Sequence, residues 1–111
     1  VSAYGFNPAR RKCQARFDDI RNWAHDRNLI GGSDQKAQMV KLIEEIGELA
    51  HGIAKGRLTE IEDGIGDAVV VLTILAAQSG MLIEECIDHA WGEIKDRKGR
   101  MENGIFIKEG D

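Results

Sequence analysis

Apolar residues recur along this chain at three- and four-residue spacing, the period of an amphipathic helix. Phe17, Ile20, Trp23 and Ala24 form one such stripe. It predicts a first helix over about 8–28, with Pro8 in its first turn and Gly31-Gly32 breaking it. Ser33 or Asp34 is placed to cap a second helix that runs to about Lys55 and stops at Gly56. Thr59 and Glu62 read as a capping box for a third helix ending near Ser79, before Gly80. A fourth is expected over about 82–98, ending at Gly99. The tail, 100–111, holds a short extended piece, Ile105-Phe106-Ile107, after Gly104. No alternating strand pattern competes, so the expectation is an all-α, four-helix bundle-like chain forming one domain over 1–111.

Composition narrows the class. The chain has 111 residues, 42% of them hydrophobic, which suffices for a core and argues against disorder. The formal charge of −4 disfavours binding to duplex nucleic acid. Cys13 and Cys86 have no zinc spacing and make no disulfide framework. The longest uncharged run, Ala68 to Ile83, is 16 residues and includes Thr73, Gln78 and Ser79, short of the roughly 20 apolar residues of a membrane span. No secretory segment opens the sequence, so a cytoplasmic setting is expected.

The charge is unevenly placed. Residues 34–67 carry eight acidic and four basic side chains, residues 68–83 none, and residues 95–111 five basic and four acidic. On the second helix Leu42, Ile46, Leu49, Ala50 and Ile53 share a face, and Lys41, Glu44, Glu45 and Glu48 fall opposite. On the third, Glu60, Asp63 and Asp67 form a stripe that continues into Val71 and Ile74. The helix is apolar all round from Ala68, so Asp63 and Asp67 are expected at the mouth of a core. Gly64 and Gly66 each cost about 1 kcal/mol in a helix interior and call for a reason, close packing or close approach of a ligand. Set antiparallel, the two helices bring five carboxylates together. These either splay into solvent or gather divalent cations such as Mg²⁺ or Mn²⁺, which take oxygen ligands.

The segments Lys41-Leu-Ile-Glu-Glu-Ile-Gly-Glu-Leu-Ala50 and Asp63-Gly-Ile-Gly-Asp67 resemble the all-α nucleoside triphosphate pyrophosphohydrolases of the MazG type. That family carries Glu-x-x-Glu on one helix and Glu-x-x-Asp on the next. Glu45 and Glu48 match the first element, with Glu44 beside them, and Asp67 ends the second. Gly64 stands where the family has Glu, so Asp63 takes the missing ligand's place, with Glu60 a second candidate. The tail from Ile94 to Arg100 and then Asn103 to Phe106 is similar to the short, phage-like branch of the family (MazZ-like proteins), some of which act on guanine nucleotides in the 2-aminoadenine DNA pathway.

The resemblance implies hydrolysis of a (deoxy)nucleoside triphosphate, with dGTP or GTP favoured, to monophosphate and pyrophosphate, in a homodimer or homotetramer. It implies Mg²⁺ or Mn²⁺ held by Glu44, Glu45, Glu48, Asp63 and Asp67, with Glu45 or Glu48 handling the attacking water. Lys95, Arg97, Lys98 and Arg100 are candidate phosphate contacts, or else a solvated helix end. Gly92 departs from the polar residue expected near the phosphates.

Other readings follow from single residues. Trp23 is a core residue or a base-stacking platform. Glu48-x-x-His51 has the spacing of a carboxylate di-iron bundle, for which the fourth helix offers only Glu85-x-x-Asp88. Glu84, Glu85 and Asp88 read as a solvated face, and Met39, Met81 and Met101 as core fillers. A non-catalytic helical oligomerisation module is the remaining alternative.

Overall fold

A computed structural model of the chain describes residues 16–110. Four helices are followed by a hairpin: α1 (Arg16–Asp26), α2 (Gln35–Lys55), α3 (Leu58–Gln78), α4 (Ile83–Ile94), β1 (Gly99–Glu102) and β2 (Ile105–Lys108). Residues 8–15 of the expected first helix, and Cys13, lie outside the described residues.

The α2–α3 pair is the centre of the molecule. Asp34 caps α2 by accepting from the Ala37 amide at 2.7 Å. Gly56 ends it in the left-handed conformation, φ 66°. Arg57 alone then separates Gly56 from α3. With so short a link the helices run antiparallel: Gly52 packs against Glu60, and Gly64 against Leu49. A Cβ at position 64 would lie 2.9 Å from Leu49 Cβ and 3.0 Å from its Cα, so close packing is the reason for this glycine. A Cβ on Gly66 meets nothing within 4 Å.

Among the described residues the buried apolar side chains are aliphatic, Ala24 of α1 and Ala68, Val71, Ile74 and Ala76 of α3. Thr73 is buried among them and donates to the Val69 carbonyl at 2.7 Å. α1 rests on α3, and Arg21 ties α1 to α4 through both carboxylate oxygens of Glu84. No single described helix is long and apolar enough to cross a membrane.

Several expectations need correction. Thr59 is not a cap: α3 begins at Leu58, after Arg57, without a side-chain cap bond. α4 stops at Ile94, four residues short, because the chain turns there into the hairpin. The tail is therefore two strands rather than one extended piece. Gly99 pairs with Lys108 and Glu102 with Ile105 across an Asn103-Gly104 turn, both of whose residues have positive φ. Met39, Met81 and Met101 are exposed rather than core fillers. Glu84 is paired with Arg21, and Glu85 accepts from the Leu82 amide, so neither is merely solvated.

The largest correction concerns which face of α2 is packed. Gln38, Glu45 and Gly52 are buried and Leu42 and Leu49 are partly so. Ile46 and Ile53 are 48% and 61% exposed, and Ala50 is exposed as well. At about 100° per residue, the contact face is turned roughly 60° from the centre of the apolar arc. The arc is wider than one neighbouring helix can cover. α3 covers its acidic edge and leaves the other edge bare.

Candidate active site

The turn of α2 carries Glu45 from the flank of its helix to the seam with α3. Its side chain is 7% exposed and its Oε1 accepts from Lys41 Nζ at 3.1 Å. Its Oε2 is buried and has no hydrogen-bond partner. Glu48, one turn on, and Asp67 of α3 each come within hydrogen-bonding reach of this carboxylate, and neither brings a donor when ionised.

The electrostatic consequence is direct. Repulsion from Glu45 is the main force holding the Glu48 carboxyl above its ordinary value. Asp67 is raised first by desolvation, then by Glu45 and Asp63. The Lys41 ammonium is raised by its bond to Glu45. One lysine thus faces a cluster of carboxylates that repel one another.

Beside Glu45 an open groove of about 570 Å³ runs between α2 and α3, lined by Glu44, Glu48, Asp63, Asp67, His51 and Glu60 together with Gly47 and Gly64. Gly47 and Gly64 leave its floor free of side chains. Asp63 and Asp67 are exposed to it, at its rim rather than within the core. All five predicted acids therefore belong to one seam, four lining the groove and Glu45 buried behind them. His51 and Glu60 join them: His51 Nδ1 lies 3.3 Å from Glu60 Oε2, and Glu60 also accepts from Arg57 at 3.0 Å, which holds its carboxyl below the ordinary value. The spacing 60–63–67 signalled Glu60 in the sequence. Nothing in the sequence singled out the His51–Glu60 contact, which depends on the register of the two helices.

The donor set fits a hard divalent cation in kind: carboxylates from two rigid helices, and one buried oxygen without a partner. Among the described residues, no three acidic, histidine or cysteine side chains already stand together as a closed ligand set. α4 lends nothing to the groove, so Glu85 and Asp88 do not complete a di-iron arrangement with Glu48 and His51.

The basic residues are placed elsewhere. Lys95 is the C-cap of α4. Arg97 and Lys98 border a separate shallow depression with Lys108, Glu93, Asp96 and Glu109. Arg100 lies on β1 and donates to Glu102 at 2.9 Å. None of the four lines the acidic groove.

Trp23 is not a core residue. It is 44% exposed, its ring covered at 4.6 Å by the Arg27 guanidinium, and it borders a mainly apolar groove with Asp19, Ile20, Val70 and Asp67. Asp67 belongs to both grooves, so the two adjoin.

The sequence pattern of the MazG nucleotide pyrophosphohydrolase domain matches residues 33–100, more than half of the chain. The chain belongs to the MazG family. The MazG match takes in α2, α3 and α4 and so includes every member of the acidic seam. Residues 16–26, with Trp23, lie outside it. The chain is also similar to an uncharacterised 18.2 kDa protein from the rep–hol intergenic region of Haemophilus phage HP1, 47% identical over 66 residues. That stretch is 60% of this chain and 40% of the phage protein. No solved structure matches the chain.

Proposed function

We propose that this MazG-family chain hydrolyses a (deoxy)nucleoside triphosphate to the monophosphate and pyrophosphate, with Mg²⁺ or Mn²⁺ held by Glu44, Glu45, Glu48, Asp63 and Asp67. The observation that carries the reading is the buried, partnerless Oε2 of Glu45 between two further carboxylates. A buried polar atom left without a partner costs about 1–3 kcal/mol, and a cation is the partner that removes this cost. A divalent ion bound there supplies charge neutralisation toward the phosphates and a water of lowered pKa.

The chain's own residues do the rest. Glu45, fixed by Lys41 and by burial, is the rigid anchor of the ligand set. Glu48 is exposed to the groove, where its carboxylate is placed to take a proton from the attacking water. Asp63 and Asp67 supply the opposite wall. Trp23 offers a stacking surface for the base next to Asp67. Guanine nucleotides are the substrates favoured by the likeness to the short phage-like branch, and the phage relative fits work in the cytoplasm of a bacterial host.

The active form is a homodimer or homotetramer. Met39, Ile43, Ile46 and Ile53 form an exposed apolar stripe on α2, 48–61% accessible, next to the site. A single chain leaves this stripe in water, whereas a second copy buries it.

A panel of nucleoside and deoxynucleoside triphosphates, incubated with Mg²⁺ or Mn²⁺ and resolved by anion-exchange chromatography, tests the proposal. Monophosphate plus pyrophosphate is expected. Diphosphate plus phosphate, or no turnover of any nucleotide, overturns it.

A further inference from the structure

The two oxygens of the Glu45 carboxylate stand in different surroundings. Lys41 precedes Glu45 by four residues on α2, the spacing at which side chains of one helix meet. Its Nζ lies 3.1 Å from Glu45 Oε1 and 3.8 Å from Glu44 Oε2. The lysine side chain is 54% exposed and the Glu45 side chain 7%. Oε1 is thus turned toward a half-exposed ammonium, whereas Oε2 is buried and has no hydrogen-bond partner. An ordinary surface pair of this spacing joins two exposed side chains. Here the carboxylate is buried, with Glu48 and Asp67 within hydrogen-bonding reach of it.

We propose that Lys41 sets which divalent cation the seam holds, by occupying Glu45 Oε1 and leaving Glu45 a ligand through Oε2 alone. The inference rests on reading the acidic seam as a divalent-metal site. A cation that takes both oxygens of Glu45 has to stand next to Oε1 and hence close to the Lys41 ammonium, where two positive charges repel. Mg²⁺ loses little by this restriction. It is small, holds octahedral geometry, keeps several waters and binds through one or two carboxylates. Ca²⁺ takes about six to eight oxygens and reaches that number with the help of bidentate carboxylates. Closing one oxygen of the most rigid carboxylate therefore disfavours the larger ion. Lys41 touches neither metal nor substrate in this role. It is a positioning residue that acts through Glu45.

Both ions carry the same charge, so removing the lysine charge alone changes the affinity for the two in the same direction and by a similar factor. The ratio of the two affinities isolates the number of oxygens that Glu45 offers.

The test is thermal unfolding of the full chain, stripped with chelator and titrated with MgCl₂ or CaCl₂ in the absence of nucleotide. The rise of Tm with ion concentration gives an apparent Kd for each ion. Lys41→Met keeps the length of the side chain and removes its charge and its donors; Lys41→Leu is a second uncharged variant, and Lys41→Arg keeps a cation on Oε1. The uncharged variants are expected to shift the preference toward Ca²⁺ by about tenfold, the lower end of what loss of an outer partner of a metal ligand does. Lys41→Arg is expected to keep the wild-type ratio. A ratio that is unchanged in the uncharged variants, or that moves toward Mg²⁺, overturns the inference even if triphosphates are hydrolysed. So does a Lys41→Arg ratio that moves as far as that of Lys41→Met. A shift toward Ca²⁺ in a chain that hydrolyses no triphosphate supports the inference and removes only the pyrophosphohydrolase reading. A wild-type Tm that responds to neither ion overturns both.

Discussion

Replacing Glu45 by Gln separates what this residue does for the fold from what it does for the site. In the metal-free protein the substitution removes a buried negative charge and turns the partnerless Oε2 position into an amide able to donate to Glu48 or Asp67. Satisfying a buried polar atom is worth about 1–3 kcal/mol. The loss is the Lys41–Glu45 ion pair, an i,i+4 contact whose lysine is 54% exposed, worth about 0.3–0.5 kcal/mol. Glu45→Gln is therefore expected to stabilise the metal-free protein by about 0.5–2.5 kcal/mol, a rise of about 4–8 °C in Tm for each kcal/mol in a domain of this size. The assay is thermal unfolding at pH 7 and fixed protein concentration, with chelator and then with Mg²⁺. Added metal stabilises the wild type by about 2.7 kcal/mol at one hundred times its Kd and leaves the variant behind, so the order of Tm values reverses. Turnover is expected to vanish in the variant. A Glu45→Gln protein that melts below the wild type in chelator, or that still hydrolyses triphosphates with Mg²⁺, refutes the reasoning.

Glycines 64 and 66 make a matched pair. Gly66→Ala meets nothing and should stabilise by about 0.5–1 kcal/mol, whereas Gly64→Ala drives a methyl into Leu49 and should cost about 1–3 kcal/mol relative to it; equal urea midpoints for the two would contradict the packing. Glu48→Gln tests the cluster's pH dependence. The folded-state Glu48 carboxyl is raised above its ordinary 4.5, so the wild type's stability is fully present below that value and is lost as pH rises through the raised one. In chelator, Glu48→Gln should therefore match the wild type near pH 4 and melt higher at pH 7, with activity lost. A Tm gap that does not change with pH dismisses the repulsion. Ile43→Asp, on the exposed stripe of α2, is expected to lower the mass seen by sedimentation to that of one chain; an unchanged oligomer moves the interface elsewhere.

Much of the site is readable in the sequence because helical period is a local property. Spacing placed Glu44, Glu45 and Glu48 on one helix and Asp63 and Asp67 on the next, and Asp34, Gly56 and Gly80 mark ends that the structure keeps. The hairpin carries a signal of its own, the two-residue Asn103-Gly104 turn, but its flanking strands of four residues each are too short to show a clear alternation. The end of α4 is not local either: Lys95 to Lys98 has helical propensity, and only the hairpin beyond it stops the helix.

The sequence by itself determined the four helices, the acids they carry and the antiparallel pairing imposed by the short link at Gly56-Arg57. The tertiary structure alone decided which side of α2 meets α3. Periodicity gives the direction of a helix's apolar arc, but the contact is set by where the neighbouring backbone can approach most closely. That is the line through Gly52 and Gly64, and it turns Glu45 inward while leaving Ile46 and Ile53 in water. Trp23, on α1, likewise stands half exposed beside Asp67 rather than in a core. Glu45, a candidate ligand by its spacing alone, thus becomes a buried carboxylate with one oxygen on Lys41 and the other without a partner.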